Sequence, residues 1–225
     1  MSHSRAATAL LLVLIAACTA AFLRTEQLKL RKSPIAHPHV RQAISPGCTD
    51  PGCHGQASIT FQLRSPQRLS LAIVNTGGSV VRRLQPETAH PKGDVSLVWD
   101  GRDDAGRVVP DGQYRLRVTL ASDGRNVTIP DPIRVDTKPA GISLGEITRG
   151  AASILIHYTR AAGNTRAVLV VLRGDRVVYE KTALFDPVRL RLSLLSPGHY
   201  RVEVLAVDAA GNRTPDPPSF SVTVP

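Results

Sequence analysis

Among the 225 residues of this chain, Cys48, Cys53 and His54 are the ones whose types and spacing could do chemistry. They stand in Ser45-Pro46-Gly47-Cys48-Thr49-Asp50-Pro51-Gly52-Cys53-His54. Two cysteines with four residues between them, bent by Pro-Gly turns, can close a small disulfide ring, and that is the reading taken. A ring this size contributes about 2 kcal/mol or less by loop-closure entropy, so it staples a loop and does not hold a domain together. The rival is haem: Cys-x4-Cys-His is a loosened form of the Cys-x-x-Cys-His attachment motif. The copy is single and oddly spaced, and Met1 is the one methionine. Zinc would use Cys48, Cys53 and His54 with His37 or His39, but structural zinc sites favour a second, well-spaced ligand pair. No cofactor and no metal are expected.

A second cluster is acidic. Asp100, Asp103 and Asp104 follow Trp99 in Trp99-Asp100-Gly101-Arg102-Asp103-Asp104-Ala105-Gly106. Three carboxylates in a loop could hold calcium. However, the ligands do not alternate and Arg102 sits among them, so the expected role is to accept hydrogen bonds from turn amides. Gly101 and Gly106 would then supply turn backbone with positive φ, and Trp99 the largest buried side chain. His157 falls on the polar side of an alternating segment and is read as an exposed strand histidine. The chain holds no Gly-x-Ser-x-Gly, no His-Glu-x-x-His and no phosphate-cradling glycine loop, so no catalytic residue is expected and the chain is read as not an enzyme.

These residues must be positioned by strands. Ile59, Phe61 and Leu63 alternate with polar neighbours, as do Leu69, Leu71 and Ile73, then Val95, Leu97 and Trp99, then Tyr114, Leu116, Val118 and Leu120. Beyond Asp136-Thr137-Lys138-Pro139 the pattern resumes with Ile154, Ile156 and Tyr158. It continues with Val168, Val170 and Leu172, with Leu190, Leu192 and Leu194, with Tyr200, Val202, Val204 and Ala206, and with Phe220 and Val222. Strict alternation puts one face on a core and the other in water. Short strands separated by turns predict sandwiches.

The two blocks repeat. Asp111-Gly112-Gln113-Tyr114 aligns with Pro197-Gly198-His199-Tyr200, an offset of 86 residues, about one immunoglobulin-sized domain. A glycine two before a tyrosine that opens an alternating strand predicts a tyrosine corner, with the hydroxyl bonded back to nearby backbone. The fold class is therefore all-β: two tandem Ig-like β-sandwiches, residues 57–137 and 138–225, after an N-terminal apolar helix (1–23) and a linker with the cysteine loop (24–56).

From Leu97 to Tyr114, through Trp99-Asp100-Gly101, an Asp/Gly turn and Gly112-x-Tyr114, the chain resembles a known module. It is similar to the Ig-like domain of the flagellar hook-assembly (hook-cap) protein, which also occurs in many unrelated bacterial surface proteins. The resemblance spans roughly residues 57–137. It implies a sandwich with a structural hairpin at Trp99, Asp100, Gly101, Asp103, Gly106, Gly112 and Tyr114, and a role as spacer or docking surface. Residues 138–225 resemble generic bacterial Ig-like domains and lack the Trp-Asp-Gly hairpin.

The N-terminus suggests an address. Ala6–Leu23 is an uncharged, mostly apolar run, close to the ~20 residues that cross ~30 Å of hydrocarbon. It is read as a signal anchor, a single-pass transmembrane helix in the bacterial cell membrane with the modules extracytoplasmic. Alternatives are lipidation of Cys18, since Ile15-Ala16-Ala17-Cys18 resembles the bacterial lipobox, and cleavage within Ala16–Ala21. Basic residues after the run (Arg24, Lys29, Arg31, Lys32) would place the C-terminal side in the cytoplasm under the positive-inside rule. The character of the modules overrides it here.

The net charge of +10 is spread along the whole chain, and aromatics are only 4%, so no basic stripe with interleaved stacking rings points to nucleic acid. The expectation is a membrane-tethered binding or spacer protein of the cell envelope. Its partner is an envelope protein or a wall polymer. The alternatives are an accessory subunit of a redox system using Cys48 and Cys53, or a hook-assembly factor.

Overall fold

Period-two sequence becomes strand wherever one face can be buried. In the computed structural model, which describes residues 13–22, 33–122 and 124–225, β3 (Ala57–Leu63) buries Ala57, Ile59, Phe61 and Leu63 and turns Ser58 and Gln62 to solvent. The remaining strands of the first module are β1 (Ile35–Val40), β2 (Ala43–Ile44), β4 (Gln67–Asn75), β5 (Val80–His90), β6 (Gly93–Trp99), β7 (Gly112–Leu120), β8 (Arg125–Thr128) and β9 (Ile133–Val135). They form one sheet in the order β1-β3-β6 and another in the order β2-β9-β7-β4-β5, with β8 beside β7.

The second module comprises β10 (Ile142–Arg149), β11 (Ser153–Arg160), β12 (Asn164–Arg173), β13 (Arg176–Ala183), β14 (Val188–Arg191), β15 (Gly198–Asp208) and β16 (Ser219–Val224). Its sheets run β10-β11-β14 and β13-β12-β15-β16. Strand for strand this repeats the first module: β3 and β6 pair as β11 and β14 do, and β5-β4-β7-β9 matches β13-β12-β15-β16. No sheet crosses from one module to the other among the described residues, although His37–Pro225 forms one compact unit.

Each sandwich closes over its own core. In the first, Trp99, Phe61, Ile59, Leu69, Leu71, Ile73, Leu116 and Leu120 are among the largest fully buried side chains. Burying each such side chain stabilises by about 1.5–3 kcal/mol. In the second, Ile154, Ile156, Leu169, Val171, Leu190, Tyr200, Val202 and Val204 form the core. The β4–β5 ladder breaks register between Leu69 and Leu71, between Leu71 and Ala72, and between Ile73 and Val74.

Several expectations need correction. On β12, Ala167, Leu169 and Val171 face the sandwich core. Val168, Val170 and Leu172, expected there, lie on the opposite face in a second buried cluster with Leu205 and Val207. Residues 167–172 are uninterrupted apolar sequence, so periodicity alone could not choose a face. The strand expected through Leu194 ends at Arg191; Leu192–Leu194 is a 3-10 turn, and Leu194 is exposed. The segment read as linker contains β1 and β2, and Ile44 is fully buried beside Val135 in a parallel pair with β9. A two-residue strand is too short to show a period.

The N-terminal expectation is overturned. Residues 13–22 are helical, and no helix among the described residues is long and apolar enough to cross a membrane. The single-pass anchor in the bacterial cell membrane is not supported. Residues 6–12 and Leu23 of the expected run lie outside the described residues, as do Arg24, Lys29, Arg31 and Lys32. Cys18 sits on that helix, exposed and free.

Candidate functional site

The Trp-Asp-Gly hairpin directs its polar atoms at itself. Trp99 ends β6 with its ring buried, and its Nε1 donates to the Arg102 carbonyl at 2.9 Å. Asp100 Oδ1 accepts the Arg102 amide at 3.1 Å. Asp103 Oδ1 accepts the amides of Ala105 and Arg107, both at 2.9 Å, and Asp103 Oδ2 accepts Arg107 Nε at 3.1 Å. The Arg107 amide, then its guanidinium and the Ala105 amide, hold the Asp103 carboxyl below the usual carboxylate range. Asp104 reaches across to β5, where Oδ1 accepts the Arg83 amide and Oδ2 the Arg83 guanidinium. Each of these carboxylates has its hydrogen-bond donors within the protein.

Gly101 (φ +72°) is needed twice over. Its backbone is left-handed, and a β-carbon there would collide with the Pro46 ring and lie 3.3 Å from Ile44 Cδ1. Gly106 (φ +78°) is needed only for its backbone, with open space around it. Gly112 opens β7, and two residues on the Tyr114 ring packs against Trp99 at 5.2 Å between centroids. The Tyr114 hydroxyl donates to the Pro110 carbonyl at 2.7 Å. Burial first, and then Asp111, raises the Tyr114 phenol, so it stays protonated to donate. Tyr200 makes the same contact in the second module, to the Ser196 carbonyl at 2.6 Å.

Cys48 and Cys53 are joined in a disulfide, with their Cα atoms 6.3 Å apart. Among the described residues no group of three or more His, Cys, Asp and Glu is placed to hold a metal ion. The ring is tied to the first module through the Ser45 amide, which donates to the His54 carbonyl at 2.8 Å. It also meets a loop of the second. The His54 amide donates to the Ala210 carbonyl at 2.9 Å, and Gly211 lies directly against the backbone of Gly52 and Cys53.

That loop, Asp208–Thr214, is built around two buried polar side chains. Asp208 Oδ1 accepts the amides of Ala210 (2.8 Å) and Asn212 (2.9 Å), and Oδ2 accepts Asn212 Nδ2 at 2.7 Å. Asn212 Nδ2 also donates to the Asp136 carbonyl at 2.8 Å, and Thr214 Oγ1 to the Ala140 carbonyl at 2.8 Å. The connecting segment is bonded to the first module too: Asp111 Oδ1 accepts both the amide and the hydroxyl of Thr137. A cleft of about 510 Å³ at the junction is bordered by Asp111, Arg134, Asp136, Lys138, Asn164 and Asp208.

Sequence reasoning singled out the ring but missed its seat. Asp208, Gly211 and Asn212 carried a signal in the sequence, an Asp-x-x-Gly-Asn turn. Asp186 was missed as well. It accepts the Tyr158 amide at 2.7 Å and pairs with His157 Nδ1 at 3.2 Å. The Tyr158 amide, and after it His157, hold its carboxyl below the usual range.

Residues 50–124 match the family model described as the FlgD Ig-like domain. The first module is of FlgD Ig-like type, and the match runs from within the disulfide ring through β7. No curated protein matches the chain. Among solved structures, the fibronectin(III)-like modules of Clostridium thermocellum CbhA are similar at 16% identity, over 86% of this chain and 92% of that one, with a TM-score of 0.42. The FN1–FN3 domains of chicken CNTN1 are 12% identical over 81% and 67%, with a TM-score of 0.47. FLGD from P. aeruginosa is 16% identical over 56% and 89%, with a TM-score of 0.32.

Proposed function

We propose that the chain is a non-catalytic binding and spacer protein whose two Ig-like modules are held at a set geometry. The observation that supports this is the junction. Asp136–Ala140 is hydrogen-bonded to Asp111 on one side and to Asn212 and Thr214 on the other. A connector anchored at both ends transmits position, which suits a spacer and does not suit a flexible tether. The carboxylates that could have held calcium accept their hydrogen bonds from the first module's own amides and arginines instead. The partner is read as a protein or anionic polymer of the cell envelope, met through the diffuse positive charge.

The test is a crosslinking pull-down with the purified, oxidised chain, alongside an absorbance spectrum and a thiol–disulfide turnover assay. A reproducible partner, no Soret band and no turnover support the reading. A coloured protein, or turnover of Cys48 and Cys53 on a disulfide substrate, would sink it in favour of a redox subunit. The match over residues 50–124 favours a second reading, a hook-assembly factor. That reading requires loss of motility on deletion.

A further inference from the structure

We infer that the Cys48–Cys53 disulfide is a redox-sensitive latch at the inter-module junction: reduced, it frees the ring from its seat on the Asp208–Thr214 loop while both sandwiches stay folded and the connector stays bonded. This goes beyond the spacer reading, because it concerns what can loosen the junction.

Three observations converge. First, the ring reaches the second module outside the connector, through the His54 amide and the Ala210 carbonyl. Second, the seat is a backbone-to-backbone fit. A β-carbon at Gly211 would lie 2.8 Å from the Gly52 carbonyl oxygen and 3.2 Å from the Cys53 nitrogen. Such a fit survives only while the ring keeps its shape. Third, besides the disulfide the ring's shape rests on backbone hydrogen bonds alone, among them the Ser45 amide to the His54 carbonyl at 2.8 Å across its base. Within the ring the Cys53 amide donates to the Asp50 carbonyl at 3.1 Å, and at its edge the Cys48 amide donates to Ser45 at 3.2 Å. Gly47 and Gly52, both at positive φ, give the backbone wide freedom once it is cut. Thr49, Asp50, Pro51 and Gly52 are exposed, so a reductant has access.

The chemistry is thiol–disulfide exchange with a dithiol. One thiolate of the dithiol attacks a ring sulfur, and the S–S bond breaks to leave a mixed disulfide and one cysteine thiolate. The second thiolate of the dithiol then displaces the other cysteine. The dithiol is oxidised to its own disulfide, and Cys48 and Cys53 take up its two protons as thiols. Loss of closure in a six-residue ring loosens the seat by up to about thirty-fold, equivalent to the ~2 kcal/mol ceiling on its loop-closure entropy.

The test is hydrogen exchange on the full chain carrying Cys18→Ser, which removes the free thiol, with and without excess dithiothreitol. Exchange at the His54 amide should rise by up to about thirty-fold on reduction, and amides in β3 and β12 should not change. C48S/C53S should reproduce the reduced pattern without reductant. Gly211→Ala should free the His54 amide while intact mass shows the disulfide still closed. The inference is overturned if His54 exchanges at the same rate reduced and oxidised. It is also overturned if β3 and β12 accelerate equally, since reduction would then unfold the modules, or if Gly211→Ala leaves His54 protected.

Discussion

Gly101→Ala should destabilise the first module far more than Gly106→Ala, although both glycines sit at left-handed backbone in one hairpin. The left-handed conformation costs an L-residue about 1–2 kcal/mol at either position. At Gly106 that is the whole cost, because nothing lies within 4 Å of the added carbon. At Gly101 the new methyl meets the Pro46 ring, with Pro46 Cβ at 3.0 Å and Ile44 Cδ1 at 3.3 Å. Ile44 is fully buried and cannot retreat to solvent. Overpacking of that kind adds about 1–3 kcal/mol. The two variants should therefore differ by about 1–3 kcal/mol, or roughly 4–8 °C in Tm per kcal/mol for a module of this size. Trp99, the one tryptophan, reports on this module alone in urea unfolding by fluorescence. Pro46→Ala added to Gly101→Ala should recover part of the difference. Equal costs for the two alanine variants, or strict additivity with Pro46→Ala, would refute the close approach as the cause.

Tyr200→Phe should cost the second module about 1 kcal/mol through loss of the bond to the Ser196 carbonyl, and Tyr114→Phe the first module a similar amount; chemical denaturation of each variant checks this. Asp186 has its carboxyl held low in the folded state, so its stabilisation is present above the unfolded value near 3.8 and is lost as pH falls through the folded value. Thermal unfolding from pH 6 down to pH 2 should show wild type losing stability across that window, and Asp186→Asn should flatten the loss.

Half-buried strands were legible because water on one face enforces alternation, as in β3 and β7. The sequence logic failed where that condition failed. β12 is buried on both faces, so Val168 and Leu169 are equally apolar and no period distinguishes them. β2 has two residues, too few to alternate, and β1, Ile35-Ala36-His37-Pro38-His39-Val40, carries a proline and buries Ile35 and Ala36 side by side, so it shows no period of two. The tyrosine contacts could be anticipated because donor and acceptor lie four residues apart. The ring's seat could not: His54 and Ala210 are distant in the chain, and composition at either end carries no mark of the other. Asp208 and Asn212 look like ordinary turn residues until their burial is known.

The broken register along β5 has a consequence for self-association. β5 closes one side of its sheet, and an eleven-residue border strand would ordinarily offer a template for copies of the chain to stack into fibres. Three irregularities in its pairing with β4 coil it away from a flat ribbon. Pro86 removes one amide donor, and Arg82, Arg83 and Glu87 line the border with charge. Copies of the chain are thereby disfavoured from adding strand to strand along this border.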